Sequence, residues 1–74
     1  MDYEQLKKFD DARARLANLE YSVKGYLTQM ETACTEIGAY LPEDVKEERD
    51  KFLESLSKYN GTLQRLVRER MDAE

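Results

Sequence analysis

The chain has no histidine and no tryptophan, one cysteine (Cys34), one proline (Pro42) and three isolated glycines among its 74 residues. Without histidine there is no common general base, no Ser-His arrangement and no ordinary zinc or di-iron ligand set. A single cysteine forbids an internal disulfide. Gly25, Gly38 and Gly61 stand apart, so no glycine-rich phosphate loop exists. No apolar run approaches membrane-spanning length, and the first residues (Asp2, Tyr3, Glu4, Gln5) carry no apolar signal segment. These features set the expectation of a cytoplasmic protein that is not an enzyme and holds no cofactor or metal. Glu43/Glu47 and Asp44/Glu48 are carboxylates at i,i+4, but they read as solvated first-turn acids with no ligand spacing around them. Asn60-Gly61-Thr62 fits a glycosylation sequon, which carries no meaning without a secretory signal.

What is abundant is charge and periodicity. Charged residues make up 38% and the net charge is −4, which argues against generic binding to nucleic acid or an anionic membrane. Scarce glycine and proline with many charges favour helices. Phe9, Leu16, Val23, Met30 and Ile37 recur every seven residues, and Ala12, Leu19, Tyr26, Ala33 and Tyr40 follow each by three. That is the a/d alternation of a long helix presenting a seam to another helix. The phase holds across Gly25, so one helix is expected to run through it, with Gly25 at a close approach or mild bend.

Asp2 can cap this helix at Tyr3. Pro42 disfavours helical geometry at Leu41 and suits the opening of a second helix, with Glu43, Asp44 and Glu47 at its positive end. In that helix Val45, Phe52, Tyr59 and Leu66 recur every seven, alternating with Arg49, Leu56, Leu63 and Arg70, and the pattern continues through Asn60-Gly61. The expected fold is all-α: a long antiparallel hairpin, one domain over 1–74, with helices at about 3–40 and 43–72. A turn at 41–42 predicts Met30 beside Leu53 and Leu56, Tyr26 beside Tyr59, Leu19 beside Leu66 and Leu16 beside Val67.

A chain this short buries a thin core, so self-association or a partner is the expected supplement. From Tyr21 to Leu41 the first helix is broad in apolar character and nearly uncharged, as for a helix with more than one neighbour. The residues flanking the two seams, Tyr21, Leu27, Cys34, Leu41, Leu53 and Val67, are therefore the candidate interface. They would be buried when hairpins pair into a homo-oligomer, most simply a dimeric four-helix bundle, that docks on a protein partner.

Charge also sorts along the rod. Residues 36 to 54 hold seven acids against three bases, which accounts for the whole net charge, while the open end is balanced. That permits the acidic loop end of one hairpin to meet the arginines of another. The five tyrosines read chiefly as edge-of-core residues, with Cys34 as a small buried hydrophobe. A second reading makes the oligomer a sequestering protein, in the manner of phage-type signal sponges. Tyr3, Lys7, Lys8, Arg13, Arg15, Arg65 and Arg68 would then hold an anionic nucleotide-like molecule between subunits.

Overall fold

The computed structural model describes residues 2–73. Helix α1 spans Tyr3–Glu36 and helix α2 spans Glu43–Ala73, packed antiparallel as a two-helix hairpin with no strand among the described residues. Asp2 begins α1: its Oδ1 accepts the Gln5 backbone N–H at 2.8 Å, which satisfies one of the donors a helix start leaves open. Both helices pass through their weak points without a break. At Gly25 and Gly61 an added methyl group would meet nothing within 4 Å. Gly25 is therefore no close approach; it lies in open space on a continuous helix.

Helix α1 stops four residues before the expected limit of 40, and Gly38 is the reason. Its φ of 80° is the left-handed conformation that favours glycine. The Ala39 N–H turns back to the Cys34 carbonyl at 3.0 Å, and the Gly38 N–H to the Thr35 carbonyl at 3.0 Å. This pair of bonds is the Schellman closure of a helix end. Pro42 then ends the connection: its carbonyl accepts the Val45 N–H at 3.1 Å and the Lys46 N–H at 3.3 Å, opening α2.

The longer connection shifts the pairing. Asn60 Nδ2 donates to the Leu16 carbonyl at 2.8 Å, so Leu16 lies level with Asn60 and not with Val67. Near the loop, Arg49 Nη1 donates to Glu31 Oε1 at 2.9 Å. The register thus differs from that of a tight turn by about one helical turn at the loop end and about two at the open end.

Each helix is also turned partway from the expected seam, so that half of the seam positions pass to a neighbouring residue. In α1 the half-buried stripe is Phe9, Ala12, Leu16, Glu20, Val23, Leu27 and Glu31. It leaves the heptad after Leu16, taking Glu20, Leu27 and Glu31 where the heptad has Leu19, Tyr26 and Met30. The stripe advances by three, four and four residues, an eleven-residue repeat of about 3.67 residues per turn, close to the 3.6 of a straight helix and away from the 3.5 of a left-handed coiled coil. In α2 the half-buried stripe is Arg49, Leu53, Leu56, Leu63 and Val67, with Asn60 buried at its centre. Leu53, Asn60 and Val67 take the places expected of Phe52, Tyr59 and Leu66.

The contact between the helices is correspondingly thin. No hydrophobic side chain is buried among the described residues; the single buried side chain is Asn60, 7% exposed. Both ends of its amide are engaged, because Gln64 Nε2 donates back to Asn60 Oδ1 at 2.9 Å. An ordinary folded monomer of 8.7 kDa exposes about 4,700 Å². This chain exposes 6204 Å². Its Cα radius of gyration is 17.2 Å, against about 11 Å for a compact chain of its length.

Candidate functional site: the open face of the hairpin

Rotation of both helices places the displaced seam on one side of the molecule. Val45, Phe52, Tyr59 and Leu66 are seven residues apart and so share one stripe of α2. Three shallow hollows run beneath this stripe in the groove between the helices. The first, near the loop, has a volume of about 330 Å³ and is lined by Leu27, Met30, Val45 and Phe52, with Glu31, Glu48 and Arg49 at its rim. The second, at mid-length, is about 160 Å³ and is lined by Leu16, Leu19, Val23, Leu56, Tyr59 and Leu63, with Glu20 and Asn60 beside them. The third, at the open end, is about 360 Å³ and is lined by Phe9, Ala12, Leu66 and Val67, with Lys8 and Arg70 beside it. None is enclosed: Met30 is 65% exposed, Phe52 51% and Tyr59 64%. The result is one continuous apolar face along a body whose Cα atoms span 55 × 19 Å. Scattered apolar residues on a surface are ordinary, but a contiguous stripe of this length is the candidate functional feature of the hairpin.

The same groove carries polar contacts, since Glu31 and Arg49 border the loop-end hollow and Glu20 the central one. Arg49 also donates to Asp50, at 3.1 Å from Nη2. Hydrogen bonds from its guanidinium to Asp50, then those to Glu31, hold its pKa above the ordinary value. Glu20 pairs with Lys24 at 3.7 Å. The threonines of α1 turn inward on their own helix. Thr28 Oγ1 donates to the Lys24 carbonyl at 3.2 Å, Thr32 Oγ1 to the Thr28 carbonyl at 2.9 Å and Thr35 Oγ1 to the Thr32 carbonyl at 3.1 Å. The uncharged half of α1 thus satisfies its hydroxyls locally and makes no polar demand on a neighbour.

Of the six flank residues, Leu27, Leu41, Leu53 and Val67 are half-buried, and Leu27 and Val67 line the groove itself. Tyr21 is 79% exposed, and Cys34 is exposed, not a buried hydrophobe. All five tyrosines are exposed, which replaces the edge-of-core reading. Among the cationic candidates Lys8 borders the open-end hollow. Arg13 pairs with Asp10 at 4.0 Å and Arg65 with Glu69 at 3.6 Å, each within its own helix. Tyr3, Lys7, Arg15 and Arg68 are exposed. These groups do not converge: Lys7 and Lys8, as successive helical residues, point about 100° apart. Among the described residues no group of three or more Asp, Glu, Cys or His side chains comes together, and no helix is long and apolar enough to cross a membrane.

The open face itself was within reach of the sequence. Leu19, Tyr26, Met30, Phe52, Tyr59 and Leu66 all stand in the heptads, but periodicity does not say which neighbour a stripe meets. Asn60 carried a readable signal too: a polar residue seven from both Leu53 and Val67 is the pattern of a register-setting amide in a helix seam.

Compared with known proteins, the chain matches no family model, no curated protein and no solved structure.

Proposed function

We propose that this protein is a small non-enzymatic interaction module. It associates with itself through the open face and, as an assembled helical bundle, docks on a protein partner in the manner of an adaptor, assembly chaperone or inhibitor. The observation that carries this reading is the inversion of burial: among the described residues no hydrophobic side chain is buried, while Tyr26, Met30, Phe52, Tyr59 and Leu66 are exposed. About 1,500 Å² of surface beyond that of an ordinary monomer is a large excess for a chain this size. Each protomer of a standard protein interface contributes about 800 Å².

Sedimentation equilibrium across micromolar concentrations tests the reading. Reversible self-association is expected, together with a melting temperature that rises with protein concentration. Phe52→Glu, which places a carboxylate in the middle of the stripe, should abolish the association. A stable folded monomer over the whole range would refute the proposal.

A second reading draws on the open-end hollow, whose volume and flanking Lys8 suit part of a small anionic molecule. There the oligomer would sequester a nucleotide-like ligand between subunits. A thermal-shift panel of nucleotides and cyclic nucleotides separates the two: a raised midpoint supports sequestration, and a flat panel removes it.

A further inference from the structure

We propose that the open face is completed by a second copy of this chain laid head to tail, with α2 on α2, α1 on α1 and Tyr59 at the two-fold axis. This rests on the self-association reading above and adds the occupant's orientation.

Three observations carry it. The first is area. The hairpin as a whole spans 55 × 19 Å between Cα atoms, a broad-side footprint of about 1,000 Å², which leaves room for the roughly 800 Å² per partner of a standard interface. The second is the spacing of the α2 stripe about its own midpoint. Phe52 lies seven residues before Tyr59 and Leu66 seven after it, so an antiparallel copy sets each Phe52 against a Leu66 while Tyr59 meets itself. Glu48 and Arg70, each eleven residues from Tyr59, fall level with one another across the pair. The midpoint of α1 agrees, since Leu19 shares the central hollow with Tyr59. Phe52, Tyr59 and Leu66 stay exposed beside the Leu53, Asn60 and Val67 seam, so this second seven-residue stripe of α2 is not used within the hairpin.

The third is charge. The loop-end hollow is bordered by Glu48, which has no ion-pair partner among the described residues, and the open-end hollow by Lys8 and Arg70. Head-to-tail stacking brings these ends over one another. Loop-to-loop stacking would instead superpose two segments that each hold seven acids against three bases. Charge of this kind sets orientation more than affinity, and like charges in register are strongly disfavoured.

The exposed native Cys34 supplies the ruler. It lies fifteen residues from Leu19, so two nitroxide labels in the head-to-tail pair stand about 45 Å apart at 1.5 Å per residue. Loop-to-loop stacking brings them within about 20 Å, since packed helix axes lie about 8–10 Å apart. The expected result of dipolar electron spin resonance is the long distance. A short distance in a sample that sediments as a dimer overturns the orientation while leaving self-association standing. Absence of dipolar modulation in a sedimenting monomer overturns both. A charge exchange provides the second arm. Glu48→Arg and Arg70→Glu should each weaken the pair by about tenfold, and the double variant should recover it. No recovery, with helicity intact, overturns the orientation.

Discussion

Replacing the three glycines one at a time by alanine should produce effects of opposite sign. Gly25 and Gly61 lie within α1 and α2, and a methyl group at either would touch nothing within 4 Å. The substitution then acts through the backbone alone. Alanine has less freedom to lose than glycine, and the gain is about 0.5–1 kcal/mol per site. Gly38 has equal space around it, yet its φ is 80°. A side chain there costs about 1–2 kcal/mol, because the left-handed conformation crowds Cβ against the carbonyl oxygen. For a domain of this size 1 kcal/mol moves the melting temperature by about 4–8 °C. Gly25→Ala and Gly61→Ala should therefore each raise it by several degrees, and Gly38→Ala should lower it by more. The assay is thermal and urea denaturation followed by circular dichroism at one fixed protein concentration, because association contributes to the midpoint. A fall on Gly25→Ala would mean that something approaches that side of α1. A neutral Gly38→Ala would mean that the Schellman closure does not terminate the helix. Either result refutes the reasoning.

Asn60→Asp should destabilise the hairpin by about 1–3 kcal/mol, because a carboxylate oxygen replaces the amide donor facing the Leu16 carbonyl. The folded chain then holds that proton more tightly than the unfolded one. The deficit relative to wild type is absent below the ordinary carboxylate pKa of about 3.9 and grows as the pH rises through it, as paired urea melts at acid and neutral pH will read. Asp2→Ala removes the cap on the Gln5 N–H and should cost about 1 kcal/mol, seen as loss of amide-exchange protection in the first turn of α1.

The helices were legible because their causes are local. Asp2 before Tyr3, acids after Pro42 and unbroken periodicity each act within a turn or two, and each sits where the sequence places it. The stop at Glu36 was less legible. Gly38 could equally have stayed helical, as Gly25 and Gly61 do, and the choice is made by the Schellman bonds to Cys34 and Thr35. Register followed from that choice, so Leu16 met Asn60. The face was the hardest part. A heptad announces that some seam exists; whether Leu53 or its neighbour Phe52 enters the hairpin beside Leu56 and Leu63 depends on a rotation of about 50°, half of one residue step, that periodicity does not contain. The cationic candidates around the open end share a level along the rod but not a direction.

Asn60 has one further consequence, which concerns chemical ageing. Asn-Gly is the dipeptide in which a backbone nitrogen most readily attacks the preceding side-chain amide, closing a succinimide that hydrolyses to aspartate or isoaspartate. In this hairpin the Gly61 nitrogen lies inside the helical ladder of α2, and the Asn60 amide is held between the Leu16 carbonyl and Gln64. Neither group can reach the other while the groove is shut. Opening of the hairpin frees the amide from the Leu16 carbonyl, and local unwinding of α2 is needed as well to free the Gly61 nitrogen and the Gln64 contact; the aspartate product is the Asn60→Asp chain, which closes less well. The buried amide thus couples a reversible opening to an irreversible change, and the lifetime of the intact chain becomes a measure of how seldom the groove opens and α2 unwinds at Gly61 together.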